Sequence, residues 1–207
     1  MTSEYLEDNL VKPNSIEMRD YQVSLASQAK TQNSLVVLPT GLGKTTIALQ
    51  VILDILSQKK GGVLFLAPTR VLVNQHFEFL KEHILLDDIG IVTGEDLITK
   101  RKKFWVNSIV CATPEITRND LQRGIVPNEQ FSLVIFDEAH RAVGDYAYTS
   151  IAANFSSNIL FLAMTATLPS DKQKADEIVK SLRINRVLQK TDESPDVKPY
   201  IQETKTE

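Results

Sequence analysis

Short apolar runs, each followed by a polar turn and then by a segment with helical spacing, limit the folds open to this chain. The runs consist almost entirely of Val, Ile, Leu, Phe and Ala. Such strands are typical of a parallel sheet buried on both faces. The alternation predicts an α/β fold with a doubly wound, mainly parallel sheet and helices on both faces. The predicted strands are Leu35–Leu38, Val63–Ala67, Ile89–Val92, Ser108–Ala112, Phe131–Phe136 and Asn158–Ala163.

Between the strands, the helical spacing of apolar residues predicts the helices that cover the sheet. Residues 16–30 are loosely helical, and Ser170 is expected to cap the last helix. Residues 1–15 are expected to form a flexible lead-in, 16–186 the domain, and 187–207 a polar tail or linker without another strand. The other predicted helices are Lys44–Ser57, Val71–His83, Asp96–Trp105, 114–123, Tyr146–Phe155 and Asp171–Leu182.

The composition is that of an ordinary globular protein, with 43% hydrophobic and 24% charged residues among 207. A formal net charge of −3 gives no bulk attraction to nucleic acid. No apolar run is long enough to span a bilayer, and the acidic N-terminus does not resemble a secretory signal. The single cysteine, Cys111, fits a reducing compartment, so we expect a cytoplasmic protein without a membrane partner.

The segment Leu38–Thr45 carries the first chemical signal, because it joins a predicted strand to a predicted helix through a glycine-bearing turn. Backbone N–H groups of such a turn and the helix N-terminus attract phosphate. Gly41 and Gly43 allow close approach of the chain to an anion. Lys44 can reach the outer phosphates, and the Thr45 hydroxyl can ligate Mg²⁺.

This segment departs from the usual phosphate-loop pattern at one position, since the first glycine is replaced by Leu38. The strand–turn–helix context is the confirming feature of the pattern, and it is present. The alternative is a glycine turn that happens to precede a surface lysine.

The polar residues Asp137 and Glu138 directly follow the apolar run Phe131–Phe136 and carry the second signal. A carboxylate beside a phosphate loop can hold Mg²⁺, and its neighbour can orient and deprotonate an attacking water. The alternative is a pair of solvated acids at a strand end. Because ligands bind at the carboxyl edge of such sheets, we expect the residues that follow the strands to share one rim. These are Lys44, Thr69, Thr113, Asp137 and Thr165.

An ordered series of motifs over residues 16–170 resembles the first RecA-like motor domain of superfamily 2 helicases of the DEAD/DEAH type. Asp137-Glu138-Ala139-His140 spells the family's motif II. Arg19-Asp20-Tyr21-Gln22 resembles its adenine-reading element, and Pro39–Thr45 its motif I. The remaining matches are 67–75, Thr93-Gly94-Glu95, Thr113-Pro114-Glu115 and Thr165-Ala166-Thr167.

The resemblance implies an ATP-dependent, Mg²⁺-requiring enzyme with five sets of site residues. The catalytic residues are Lys44, Asp137, Glu138 and His140, and the metal ligands are Thr45 and Asp137. The nucleotide-binding residues are Arg19, Gln22, Thr40, Gly41, Leu42, Gly43, Lys44, Thr45 and Thr46. The nucleic-acid-binding residues are Pro68, Thr69, Arg70, Thr93, Gly94, Thr113, Pro114 and Glu115, and His140, Thr165 and Thr167 are expected to couple the two sites.

Within the superfamily, the run from Asp137 to Tyr148 is most similar to the archaeal Hef branch and the related FANCM translocases. This similarity implies translocation on forked or branched DNA, as in repair or fork processing. Hydrolysis in this superfamily needs an arginine from a second RecA-like domain, and too few residues follow Thr167 for one. The chain is therefore expected to be the first half of a longer motor and nearly inactive alone. The alternative is a nucleotide-gated binding module or an RNA helicase or sensor relative.

Three further features of the sequence carry weaker functional signals. His76 and His83 have no acidic or cysteine partner at zinc spacing in the sequence. Cys111 lies in an apolar run and is expected to be a buried small side chain. The basic run 100–103 is either a solvated helix face or a DNA patch, and Trp105 is expected to anchor that helix.

Overall fold

The computed structural model describes residues 5–204. Within that range, seven strands form one parallel sheet in the order β3-β4-β2-β5-β6-β1-β7. Among residues 5–204, none of the helices combines the length and the apolar composition that a membrane span requires. The strands are β1 Ser34–Val37, β2 Gly62–Leu66, β3 Ile89–Val92, β4 Ile109–Ala112, β5 Phe131–Phe136, β6 Leu160–Thr165 and β7 Arg186–Gln189. The helices are α1 Asp20–Ala29, α2 Lys44–Ser57, α3 Arg70–His83, α4 Ile98–Phe104, α5 Pro114–Gln122, α6 Ala147–Asn154, α7 Lys172–Ser181 and α8 Lys198–Thr204.

The sheet is covered on both faces, which confirms the predicted doubly wound α/β fold. Successive side chains of a strand point to opposite faces. Leu35 and Val37 of β1 accordingly pack in one hydrophobic cluster with residues of α5, α6 and α7. Val36 packs on the other side, in a cluster built with α1, α2 and α3.

The C-terminal part contains the strand β7, so the prediction of no further strand in residues 187–207 is wrong. β7 pairs with β1 in parallel, with Val187 opposite Leu35 and Leu188 opposite Val36. Only Leu188 of the four strand residues is buried. Edge strands are half-solvated and carry polar side chains, and the strand therefore lacks the apolar run that marked the others.

The N-terminal residues also contact the domain. The side chain of Val11 is buried, and its backbone forms a β-bridge with Ile84. The amide of Lys12 donates to the carbonyl of His83 at 2.9 Å. Residues 5–15 are thus folded onto the core rather than detached from it. Residues 1–4 and 205–207, which belong to the predicted lead-in and tail, lie outside the described part of the chain.

Two helices start at other residues than predicted, and in each case an aspartate side chain accepts hydrogen bonds from groups close to it in sequence. Asp171, and not Ser170, caps α7, with its side chain accepting from the amide of Gln173 at 2.9 Å. Asp96 does not begin α4. Its carboxylate instead accepts from the amide and the hydroxyl of Thr93, both at 3.1 Å, as aspartates often do in turns.

The strand order sorts the loops at the carboxyl edge of the sheet into two adjacent groups. The strands β3, β4 and β2 lie side by side, and their following loops carry Thr93, Thr113 and Thr69. The strands β5, β6 and β1 lie beside them and lead to the segments at Asp137, Thr165 and Lys44. The single rim predicted from the sequence is therefore present, and it has two halves.

Candidate nucleotide and nucleic-acid sites

The loop between β1 and α2 has a backbone that requires glycine at two positions. Gly41 and Gly43 have φ angles of 85° and 79°, which L-residues with side chains rarely adopt. A Cβ on Gly43 would lie 2.2 Å from Nε2 of Gln22. Gly43 also precedes the first residue of α2, so the loop directs its amides and the helix N-terminus to one place.

Lys44 is half-buried at the start of α2 and close to both acids of motif II. Its ammonium group donates to the carbonyl of Leu38 at 2.9 Å. Burial lowers the pKa of Lys44, and the negative charges of Glu138 and Asp137 partly oppose this shift. Leu38, which stands where many phosphate loops have glycine, is fully buried and contributes its backbone carbonyl to the lysine.

A cleft of about 290 Å³ lies beside this loop. Its walls include the predicted base-reading residues Arg19 and Gln22, and also Gly41, Gly43 and Thr46. Nε2 of Gln22 donates to the carbonyl of Leu42 at 3.1 Å, whereas its Oε1 is buried without a hydrogen-bond partner among the described residues. An unpaired buried acceptor is costly, and the exocyclic amine of adenine would satisfy it. The cleft therefore fits the predicted nucleotide base.

Phe79 and His83 of α3, which were not predicted as site residues, also line the cleft. Their rings pack against each other with centroids 4.5 Å apart. The sequence did not indicate that these two residues belong to the site. The end of α3 contacts the N-terminal residues, which are distant in sequence.

Asp137, directly after β5, is buried and is held by a histidine from α3. Nε2 of His76 lies 2.8 Å from Oδ2 of Asp137, and both side chains are at most 10% exposed. The imidazole also stacks on Phe65 of β2, with ring centroids 4.4 Å apart. His76 thus has an acidic partner that the sequence reading did not find. The helical spacing of the buried residues Val73, His76 and Leu80 was the available signal, since it turns His76 towards the sheet.

The backbone of Asp137 is fixed by Tyr148, another residue missed in the sequence. The Tyr148 hydroxyl donates to the carbonyl of Asp137 at 2.6 Å, and the ring is fully buried. Burial, reinforced by nearby negative charge, raises the pKa of Tyr148 well above its ordinary value. The hydroxyl therefore remains a donor over the physiological pH range.

Glu138 adopts a left-handed conformation with φ of 51° and ψ of 48°. Such strain in a residue with a side chain concentrates at functional sites. Next to it, Nδ1 of His140 lies 3.0 Å from Oγ1 of Thr165 and 3.2 Å from Oε2 of Glu138. Oγ1 of Thr165 itself donates to the carbonyl of Thr167 at 2.9 Å. Since a hydroxyl has a single proton to donate, Thr165 accepts from His140, and the expected coupling residues lie in direct contact.

The other half of the rim carries the predicted nucleic-acid residues. Thr69 caps α3 by accepting from the amide of Leu72 at 3.2 Å, and Arg70 forms an ion pair with Glu95. This ion pair connects the loop after β2 with the turn after β3. Thr113 and Pro114 are buried at the start of α5, whereas the side chain of Glu115 is exposed. Pro68 is half-buried, and Gly94 is open to solvent.

The basic run 100–103 does not form a uniform charged face. Nε and Nη2 of Arg101 donate to the two carboxylate oxygens of Asp120 at 2.8 and 2.9 Å. Nε1 of Trp105 donates to the same carboxylate at 2.9 Å, and all three side chains are buried. The prediction that Trp105 anchors this helix is confirmed. The lysines of the run are exposed.

The fold and the site together define a P-loop nucleotide-binding domain of the RecA-like type, with a lysine-bearing phosphate loop facing two strand-end acids. The family model described as DEAD/DEAH box helicase matches residues 19–175. The chain belongs to this family. Its relatives place it on the Hef and FANCM branch of superfamily 2.

The relatives are ATP-dependent helicases and their homologues. A Methanocaldococcus jannaschii protein, named as an ATP-dependent RNA helicase, is 41% identical over 204 residues, or 97% of this chain and 26% of that protein. The ATP-dependent DNA helicase MPH1 of Saccharomyces cerevisiae is 36% identical, over 95% of this chain and 20% of its own length. The Fanconi anemia group M protein homolog of Mus musculus is 35% identical, over 95% of this chain and 10% of its own.

Among solved structures, the helicase domain of Pyrococcus furiosus Hef is 40% identical and superposes with a TM-score of 0.89. The match covers 92% of this chain and 42% of that chain. The chain thus spans about a quarter or less of the curated relatives named here, and less than half of the Hef helicase domain. This superposition on a helicase domain confirms the predicted RecA-like fold.

Proposed function

We propose that this chain is the ATP-binding half of a DNA helicase or translocase that acts on forked or branched DNA. The observation that carries the proposal is the division of the sheet edge. The strands β5, β6 and β1 bring Asp137, Thr165 and Lys44 together, and the adjacent strands β3, β4 and β2 present the predicted DNA-binding residues. One domain can therefore sense a nucleotide and a nucleic acid side by side.

At the nucleotide half, the residues fit Mg²⁺-ATP. The hydroxyl of Thr45 and the carboxylate of Asp137 are oxygen ligands of the kind Mg²⁺ prefers. When bound, the cation neutralises charge on the outer phosphates. Lys44 is placed to exchange its bond to Leu38 for a phosphate oxygen. Glu138, whose strained backbone sets its position beside Asp137, is the proposed residue that orients and deprotonates the attacking water.

At the other half, hydroxyls and backbone amides at helix starts and turns are proposed to hold the phosphates of one strand, without reading its sequence. The contributing residues are Pro68, Thr69, Arg70, Thr93, Gly94, Thr113, Pro114 and Glu115. The chain from Glu138 through His140 to Thr165 and Thr167 is proposed to report the nucleotide state to this surface.

A second RecA-like domain in the full-length protein is part of the proposal. It would supply the arginine that stabilises transition-state charge, which in phosphoryl transfer is worth roughly 10³-fold or more. The isolated chain should accordingly bind ATP and DNA weakly and unwind nothing. A strong DNA-stimulated ATPase activity of the isolated chain would contradict this division of labour. A cytoplasmic location is also proposed, in keeping with the buried free thiol of Cys111.

The choice between DNA and RNA is tested by the ATPase activity of the full-length protein with different stimulators. Forked DNA, linear duplex DNA and duplex RNA of equal length should be compared at the same salt concentration, because phosphate binding is salt-dependent. We expect forked DNA to stimulate most. The alternative, an RNA helicase or a nucleotide-gated binding module, draws on the name of the M. jannaschii relative. It predicts that duplex RNA stimulates most, or that binding occurs without hydrolysis.

A further inference from the structure

Tyr200 of α8 packs against the base-reading element, although the two lie at opposite ends of the sequence. Its ring centroid is 5.5 Å from that of Tyr21, with the planes tilted by 59°. The guanidinium of Arg19 lies over the Tyr200 ring, 5.2 Å from the centroid. A guanidinium at this distance from an aromatic face is attracted by the ring.

Both partners of Tyr200 belong to the nucleotide site. Arg19 lines the cleft that fits the base, together with Gln22. The hydroxyl of Tyr21 donates to the carbonyl of Leu42 in the phosphate loop at 2.9 Å. The ring of Tyr200 thus contacts one residue of the cleft wall and one residue that is tied to the loop.

The segment that presents Tyr200 is itself held in place. Val197, immediately before α8, is fully buried in the core cluster that contains α1 and α2. Lys190 and Asp196 form an ion pair at 2.7 Å, and the amide of Val197 donates to the carbonyl of Ser194 at 2.9 Å. These contacts fix the path from β7 to α8, so the approach of Tyr200 to α1 is determined by folded structure.

We propose that Tyr200 is a positioning residue of the base subsite, which holds Arg19 at the cleft wall. The inference rests on the proposed ATP-binding function. Arg19 has a long side chain with many rotamers, and ordering it costs conformational entropy. If the Tyr200 ring already restricts Arg19 in the free protein, less conformational entropy is lost when the base binds. The triphosphate is held by the loop and Lys44, so its affinity should not depend on Arg19.

The test compares two ligands in the presence of Mg²⁺, ATP and inorganic tripolyphosphate, by isothermal titration of the chain. For Tyr200→Leu we expect about a 5- to 10-fold loss of ATP affinity and no change for tripolyphosphate. Tyr200→Phe keeps the ring and should retain wild-type affinity for both ligands. In a double-mutant cycle with Arg19→Met, the loss from Tyr200→Leu should largely disappear, because the two residues act as a pair.

The control is Val106→Ala, which trims an exposed apolar side chain distant in sequence from α1 and α8 and should leave both affinities unchanged. Circular dichroism confirms the folding of each variant. Equal losses for both ligands would overturn the proposal, since they would mean that Tyr200 merely supports the loop. Wild-type ATP affinity in Tyr200→Leu, or an equal loss in Tyr200→Phe, would also overturn it. Failure of the wild-type chain to bind either ligand would instead contradict the proposed function itself.

Discussion

The imidazole of His76 lies 2.8 Å from the carboxylate of Asp137, and both groups are buried between α3 and the sheet. Asp137 is the proposed Mg²⁺ ligand of motif II, whereas His76 belongs to the helix that begins at the nucleic-acid half of the rim. One oxygen of the carboxylate therefore pairs with a residue of α3. The remaining oxygen, Oδ1, has no such contact with His76 and is the candidate for the metal.

This pairing predicts a metal-specific effect of replacing His76. His76→Phe keeps the stack on Phe65 but loses the hydrogen bond, so the orientation of Asp137 should be less restricted. Removal of groups that orient metal ligands commonly costs 10- to 100-fold. We expect the Mg²⁺ concentration for half-maximal ATP binding to rise roughly 10-fold, with metal-free ATP binding unchanged. A fluorescent ATP analogue titrated with Mg²⁺ measures both quantities.

The control for this prediction is Glu78→Gln, which changes an exposed residue of the same helix and should leave both affinities unchanged. His76→Gln, which can still donate to the carboxylate, should recover part of the Mg²⁺ response. An unaltered Mg²⁺ dependence in His76→Phe would show that Asp137 does not need this partner.

The buried ion pair of Arg101 and Asp120 predicts a large effect on stability. Asp120→Ala would leave the Arg101 charge and the indole N–H of Trp105 without their acceptor. Breaking a buried pair in this way typically costs about 3–5 kcal/mol. Urea unfolding monitored by Trp105 fluorescence measures the change in the free energy of unfolding. Asn119→Ala, at the exposed neighbouring position, should change it by less than about 0.5 kcal/mol.

Cys111 predicts a pH-dependent contribution to stability, because burial in β4 raises the pKa of its thiol to about 12 from an ordinary 9.0. In the unfolded chain the thiol ionises near its ordinary pKa of 9.0, so Cys111 causes no loss of stability below pH 9.0. Above pH 9.0 the thiol loses its proton in the unfolded state but keeps it in the folded state. The contribution should therefore fall by about 1.4 kcal/mol per pH unit until the folded thiol also ionises.

Two measurements check this expectation. The difference in unfolding free energy between wild type and Cys111→Ala should shrink as the pH rises above 9. In addition, a disulfide reagent should modify Cys111 in urea but not in the native protein at pH about 8. Rapid modification of the native protein would show that the thiol is accessible.

The sequence predicted the structure best where an apolar strand or helix is followed directly by polar residues. The bounds of α2, β3 and β5 follow the predicted ones, because each of these elements has an uninterrupted apolar or helical pattern between polar turns. The positions of Lys44, Asp137 and Thr165 at the carboxyl edge of the sheet could be predicted from the sequence, since each lies at the end of a buried strand or in the segment that follows one. The sheet order then brings His140 and Thr165 into contact, as the resemblance implied.

The sequence was least informative where contacts join distant segments. β7 escaped prediction because an edge strand needs only one buried residue, Leu188. The spacing of His76 shows that it faces the sheet, but neither it nor the position of Tyr148 in α6 identifies Asp137 as their shared partner. Tyr200 follows a polar stretch with two prolines, so its contact with α1 emerges only from the folded path between β7 and α8.

ATP hydrolysis by the full-length protein on forked DNA should be compared between wild type and Glu138→Gln, because it tests whether motif II drives a DNA-dependent motor. Lys44→Ala serves as a reference in which both binding and turnover should be lost. We expect DNA-stimulated hydrolysis in the wild type, with Glu138→Gln losing turnover by at least about 100-fold while binding ATP nearly as tightly. Wild-type turnover in Glu138→Gln, or hydrolysis that forked DNA does not stimulate, would contradict it.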